Sequence, residues 1–519
     1  MKVVDGRCHF IQRPKTSASS DEFAGKALQG VASRFALMAL NPYWVMMGLI
    51  LVLTPLTCWL FTLNQKQRRT PLRDIARIIH EKRYYLHIMG YLVIIKWKSW
   101  TDNLNEPMKR LTGHWTDWVY AIEGNATLWV QEFFRNSYLT DFLNFHYLFI
   151  YLFLIYITTV YYAYVGERDM TDKVALNYLL IYAIAVPYYL FFNVEVTSSW
   201  IPGMDAILYQ DGWYAEFYAT HDPLDNAVPS LHIAIPFGII LLNILHVREK
   251  GMKMKEWAHY RYHVFIVANT ILFSFAILYL GIHWIIDIPL GMAIGAIGAF
   301  FIHHLQPRLR NDHGKMFEGV TKEKVVRHVM VEGFIGLMLL LSIFAAVSYQ
   351  EANMDERVSF RLGEGDTTYE IIQRLHYGET VEVEVTNLAE NADLYVVAIQ
   401  LQAALPAMAE GSVNWTNLSD EGGQEIRVLP SQTLKITLGQ SDVWHLILLH
   451  NPTDSGAEVM EVRVLNDYGN DSMINAYILS IPSLWMTGFV IHRLVRLKIA
   501  NKSLIDSLPS HKWQFDEQE

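Results

Sequence analysis

Charge is what this chain has least of. Only 18% of its 519 residues are Asp, Glu, Lys or Arg, against 52% hydrophobic and 13% aromatic. Soluble domains carry about 25% charged residues. The shortage excludes a disordered chain, a basic nucleic-acid binder and an ordinary cytosolic enzyme. Cysteine is scarcer still. Cys8 and Cys58 permit one disulfide rather than a framework, and no CxxC pair signals zinc or redox work. Residues 1–42 contain no apolar stretch ending at a small-residue cleavage site, so the first hydrophobic segment is expected to stay as an anchor. The segment 194–230 has no Lys or Arg at all.

Long apolar runs are what is there instead. A bilayer core takes about 20 mostly apolar residues per helix. Nine runs fit: Tyr43–Leu63, Tyr84–Trp100, Asn144–Val165, Val174–Asn193, Leu231–Val247, His263–Gly281, Ile285–Leu305, Met330–Ser348 and Asn475–Ile491. Tyr84–Trp100 is the weakest, with Lys96 and Lys98 near its end, and an interfacial helix is its alternative. Basic residues collect in 64–83, 248–262, 306–329 and the tail after Ile491. Nine crossings put all four on one face, which the positive-inside rule makes cytoplasmic. The loops 101–143, 194–230 and 349–474 then lie outside. The N-terminal segment is the misfit, because it would lie outside with Lys2, Arg7, Arg13, Lys15, Lys26 and Arg34.

Residues 349–474 read differently. They hold 21 acidic against six basic residues, a balance of −15, while the whole chain is −10; the remainder is therefore +5. Apolar and polar residues alternate in Val381–Val385, Asp393–Leu401, Thr433–Leu438, Val443–Leu449 and Val459–Leu465. Period-two alternation broken by Gly, Asn, Asp and Ser argues for antiparallel strands, and five or more in this length for a β-sandwich. Sequons stand at Asn414, Asn417 and Asn470. The expected fold is an all-α polytopic membrane protein with an inserted all-β extracytoplasmic domain. The expected divisions are a polar segment 1–42, an extra span and basic loop 43–83, a membrane core 84–305, a basic linker and span 306–348, the acidic domain 349–474, and a last span and cytoplasmic tail 475–519. Tethered beside the outer loops, the acidic domain has the position to cap a site or recruit an acceptor.

Ionisable residues at the edge of apolar helices are costly and need a reason. Two compact groups occur, Asn226-Ala-Val-Pro-Ser-Leu-His232 and Gly281-Ile-His283-Trp-Ile-Ile-Asp287-Ile-Pro-Leu-Gly291. Each sits at the outer mouth of an apolar helix, and the topology puts both at one membrane surface. Ser230 is expected to cap the helix that follows, with Pro229 sharpening the boundary and the helix N-terminus offering an anion site to which His232 projects. His283 and Asp287 are four apart, a spacing that puts both on one helix face. Asp287 accepting from one ring nitrogen fixes the tautomer and raises the basicity of the other, which suits a nucleophile or general base. Gly291 and Gly295 form a G-x-x-x-G step for close helix packing. An alternative is a metal site gathering His221, Asp222, His232, His283 and Asp287.

At these residues the chain resembles the type-2 phosphatidic acid phosphatase superfamily. Pro229-Ser230-Leu231-His232 matches its P-S-x-H motif, and His283-x-x-x-Asp287 the end of its third motif. The wording N-A-V-P-S-L-H and Y-L-G-I-H-W-I-I-D is closer to the inositol phosphorylceramide synthase-like branch, over roughly 84–305. The resemblance implies a six-helix core with about three extra spans, and a reaction needing no metal or other cofactor. It implies that His283 attacks phosphorus, Asp287 orients it and His232 protonates the leaving oxygen. Water or an alcohol then takes the phosphoryl group. Ser230, Pro229 and Asn226 would line the phosphate site. Two departures stand out. The Lys and Arg-Pro of the superfamily's first motif are missing from 194–230, and Ala276-Ile277 occupies the place of the Ser-Arg before the motif histidine. Fewer cations suit a diester monoanion better than a monoester dianion. Arg135, Lys109 and Arg110 are the outer-side candidates to substitute.

The leading expectation is thus an integral membrane phosphotransferase acting on a lipid phosphate ester at the extracytoplasmic face, with a lipid or water acceptor and no nucleic acid. A lipid phosphate phosphatase is its near alternative. A non-catalytic membrane anchor for the β-domain and a metal-dependent hydrolase are the alternatives from other classes.

Overall fold

The computed structural model describes residues 2–3, 8–9, 42–112, 114–209, 228–310, 317, 319–351, 358–372, 381–400, 403–404, 413–419, 425–438, 445–453, 455–467 and 471–502. Two regions emerge, one mostly helical and one all-β.

The helical region contains α1 (Pro42–Phe61), α2 (Tyr85–Thr112), α3 (Thr116–Glu123), α4 (Ala126–Phe134), α5 (Ser137–Tyr164), α6 (Arg168–Phe191), α7 (Leu231–Glu249), α8 (Tyr260–Tyr279), α9 (Asp287–Arg310), α10 (Lys322–Glu351) and α11 (Asp471–Ile499). Seven helices among the described residues, α5 to α11, are long and apolar enough to cross a membrane. They coincide with seven of the nine apolar runs. The other two differ. In α1 the described apolar stretch, Val45–Phe61, is shorter. The run Tyr84–Trp100 extends to Thr112 as α2, which is long enough but, with its polar second half, is not among the seven. An apolar row on α2 nevertheless stays exposed, with Leu86, Ile88, Met89, Leu92, Val93 and Ile95 all more than half uncovered or nearly so.

One apolar core runs through the bundle, with Tyr147, Tyr161, Tyr162, Tyr178, Tyr262 and Trp284 among its fully buried members. Close approach depends on small residues. A Cβ added at Gly295 would sit 2.5 Å from the Ala234 carbonyl oxygen, and one at Gly291 would sit 2.7 Å from that of Ser230. The G-x-x-x-G step of α9 therefore lets its backbone touch that of α7. In contrast, α10 is peripheral: 11% of its apolar window is buried against 67% for α5.

The described basic residues of 64–83 and 248–262 gather at the ends of α5 and α7 away from Ser230. The 64–83 loop is tied there by Thr70 N–H donating to Tyr164 O and by Gln65 donating to Ala258 O. Glu167, just after α5, pairs with Arg68 and Lys250 from two of those loops.

The all-β region comprises β1 (Val358–Gly363), β2 (Thr367–Ile372), β3 (Val381–Asn387), β4 (Leu394–Gln400), β5 (Ile426–Val428), β6 (Thr433–Leu438), β7 (His445–His450) and β8 (Val459–Asp467). Two four-stranded antiparallel sheets form, in the orders β1-β8-β3-β6 and β2-β7-β4-β5. Their inner faces share a core of Val383, Val385, Met460, Val462, Val396, Ile447 and Leu449, so they pack face to face as a sandwich. All five strands expected from alternation are present. β1, β2 and the three-residue β5 were not anticipated. The outer face of the second sheet is covered by Trp415–Leu418, over Val397, Ile399, Leu446 and Leu448.

Candidate active site

The two motif groups meet where α7 and α9 begin. Tyr279 ends α8, Gly281 follows with φ +79°, and the chain turns through Ile282–Ile286 before α9 starts at Asp287. That left-handed conformation favours glycine. Space demands it too, since a Cβ would sit 2.9 Å from Asp205 O and 3.0 Å from Ser198 Cβ. The turn is further held by Ser198 N–H donating to Gly281 O. Gln131 adds its amide, donating to both Asp205 O and Tyr279 O at 2.9 Å.

His283 lies in this turn. The expectation that His283 and Asp287 share one helix face is therefore corrected. Asp287 is the first residue of α9 and its carboxylate reaches back over the turn. Its Oδ2 accepts from Trp284 N–H at 2.8 Å and lies 3.0 Å from His283 Nδ1. The physical reason is the ordinary one for an acid at a helix start, where free N–H groups point outward. The next N–H groups, of Ile285 and Ile286, donate to the carboxylate of Glu123 at 2.7 and 2.6 Å. Trp284 is fully buried and its indole N–H donates to Glu195 O at 2.8 Å. His283 thus sits on a platform fixed from both sides.

Ser230 occupies the N-cap position of α7, but its side chain makes no capping hydrogen bond. That expectation is also corrected. The buried hydroxyl turns instead toward His283 Nε2, 3.3 Å away. Pro229 precedes it through a cis peptide bond, and its carbonyl accepts from the Tyr189 hydroxyl at 2.9 Å. Asn226 lies outside the described residues, as do His221 and Asp222.

His232, on the first turn of α7, stacks on Tyr147 (ring centroids 3.9 Å apart) and lies against the tilted ring of Tyr151 (3.8 Å). Tyr147 lies within a π-helical turn of α5, His146–Ile150, and Tyr151 directly follows it. Such turns widen a helix locally and recur at functional sites. The rings of His232 and His283 are 6.4 Å apart. His232, Ser230, His283 and Asp287 therefore come together, as their motifs lead one to expect.

An Asp287 carboxylate on Nδ1 holds the neutral imidazole with its proton on Nδ1 and its lone pair on Nε2. Nε2 then faces the Ser230 hydroxyl. The second histidine ring is centred 6.4 Å from that of His283. This arrangement can attack an electrophile at Nε2 and supply a proton from the opposite face.

Sequence reasoning missed the tyrosine pair and the two glutamates. Tyr147 and Tyr151 are four apart on an apolar run, a spacing that marks one helix face. Nothing in the sequence marks Glu123 or Glu195. Two cations reach the neighbourhood through acids. Arg135 pairs with Asp205, beside the Gly281 turn. Lys109 acts on Glu195, whose carboxyl burial pushes above the ordinary range, against the pull of Lys109 and with repulsion from Asp117. His114 Nδ1 is 3.8 Å from the same carboxylate.

Residues 200–311 match the family model of the PAP2 superfamily. The match takes in Ser230, His232, His283 and Asp287 and spans less than half of the chain. It supports the superfamily, whose members are phosphatases and phosphotransferases, and so supports an enzyme. No curated protein and no solved structure matches the chain.

Proposed function

We propose that the protein is a lipid phosphotransferase of the inositol phosphorylceramide synthase-like type, working through a phosphohistidine on His283. The observation that carries it is the buried line from Ser230 Oγ through His283 to Asp287, with the His232 ring opposite. In this reading Nε2 of His283 attacks phosphorus, and the bond to the leaving oxygen breaks as His232 gives that oxygen a proton. Asp287 stabilises the charge that develops on the His283 ring. An alcohol then attacks the phosphohistidine, His232 takes its proton, and His283 is restored. Ser230 steadies a phosphate oxygen next to Nε2.

The choice of a transferase rests on charge. The 194–230 segment carries no cation, and both Arg135 and Lys109 act on acids. A phosphodiester monoanion asks for less compensation than a monoester dianion. The positive-inside rule supports reading the site on the extracytoplasmic face, since Arg68 and Lys250 of two basic loops meet Glu167 at the ends of α5 and α7 away from Ser230.

The test follows the phosphate. Protein in lipid receives labelled phosphatidic acid in one reaction and labelled phosphatidylinositol in another, each with a lipid alcohol acceptor. A new labelled lipid that disappears in His283→Ala is the expected result. Free inorganic phosphate that disappears in the same variant means a phosphatase. Full activity in His283→Ala overturns the mechanism.

A further inference from the structure

Far from the motif residues, α10 and α11 pack closely where small residues allow it. A Cβ added at Gly488 would sit 3.0 Å from Glu332 O. One turn beyond Gly488, His492 comes against the Glu332 side chain. Glu332 Oε1 lies 2.5 Å from His328 Nδ1 and 3.2 Å from His492 Nδ1. The three ligand-type atoms all fall within 4.8 Å of one another. Glu332 is 2% exposed and His492 9% exposed, whereas His328 opens to the surface. The two histidine rings are 5.4 Å apart, and Phe489 lies against both His328 and His304.

A buried carboxylate within a membrane-spanning helix is costly and needs a compensating charge. Two imidazoles supply one only if protonated, and both meet the same oxygen. A divalent ion satisfies all three groups at once, taking two neutral ring nitrogens and one carboxylate oxygen. That donor set suits zinc.

We propose that His328, Glu332 and His492 bind a divalent first-row metal ion, best matched by zinc, which clamps α10 to α11. The role is structural. α10 leads into the β-sandwich and α11 leads out of it. His328 stands 23 residues before the end of α10, a helical distance of about 35 Å. The ion therefore fixes the two tethers at the end remote from the sandwich, and takes no part in chemistry at His283.

The test uses the full chain, purified in detergent without a polyhistidine tag. After loading with zinc and dialysis, elemental analysis should find about one equivalent per chain, and chelation should lower the thermal midpoint. Cobalt loading should give a visible d–d absorption band that zinc abolishes. His328→Gln and His492→Gln should each weaken zinc binding by at least about 100-fold while lipid phosphate turnover persists. Less than about a tenth of an equivalent in the wild-type chain, or a full equivalent retained in both variants, overturns the proposal. The wild-type measurement decides the matter even where a variant folds poorly.

Discussion

The Ser230 hydroxyl stands 3.3 Å from Nε2 of His283, although the two residues are 53 apart in sequence and belong to different helix mouths. A serine at a helix start ordinarily caps the helix. Here the hydroxyl leaves the cap and points at the ring. Ser230→Ala is expected to keep the fold, because no capping bond is lost, and to reduce turnover by about 10–100-fold, the worth of one hydrogen bond to a charged group. Equal activity in that variant removes Ser230 from the site.

His283→Ala should eliminate turnover and the acid-labile phosphoryl label that a phosphohistidine would give. Asp287→Asn keeps the shape but not the charge that fixes the ring. It should lower turnover by about 10²-fold or more with little change in substrate affinity. A label that forms normally in His283→Ala places the nucleophile elsewhere.

His232→Ala should slow release of the leaving group by about 10²–10⁴-fold. Substrates with a good leaving group, such as a nitrophenyl ester, should regain most of that loss, because they need no proton. A uniform loss across leaving groups would instead assign His232 a binding role.

Gly291 and Gly295 separate position from stability. Gly295→Val drives side-chain atoms into the backbone at Ala234 and should destabilise the helical region by about 1–3 kcal/mol, read as a lower thermal midpoint. Gly291→Ala pushes on the Ser230 carbonyl. It should cost up to about 10²-fold in turnover for a smaller change in midpoint, through displacement of Ser230 from His283.

Acid stability should depend on Glu167. Burial alone would push its carboxyl up, but the His259 ring 3.5 Å away, Lys250 and His246 outweigh that and hold it down at about 2, from 4.5. A carboxyl depressed on folding stabilises the protein fully above its unfolded value and loses that contribution as pH falls toward the folded one. Between pH 4.5 and 2 the wild-type chain should therefore lose stability more steeply than Glu167→Gln. Parallel curves in an unfolding titration would show that Glu167 does not carry the effect.

Much was legible in the sequence because it is written locally. Apolar runs of membrane length gave seven helices near their observed bounds. Period-two alternation found five strands, since one buried face forces apolar residues at every second position. Of the strands it missed, Ile426–Val428 is only three residues long and Thr367–Ile372 breaks the alternation, whereas Val358–Gly363 does alternate, with Phe360 and Leu362 buried, and was legible. Pro229-Ser230-Leu231-His232 and His283-x-x-x-Asp287 named four residues that do converge.

What only the tertiary structure decided depends on contacts between distant segments. The turn at Gly281 places His283 ahead of α9 rather than on it, because Asp205 and Ser198 leave no space for a side chain there. Glu123 comes from another helix to occupy the N–H groups of Ile285 and Ile286. Tyr147 and Tyr151 enclose His232 from α5. His492 meets Glu332 across 160 residues, at a helix crossing that Gly488 permits. Sequence periodicity tells which face of an element is buried, because burial is a property of each residue in turn. It does not tell which face meets which, because that is settled by how many packed surfaces fit together at once.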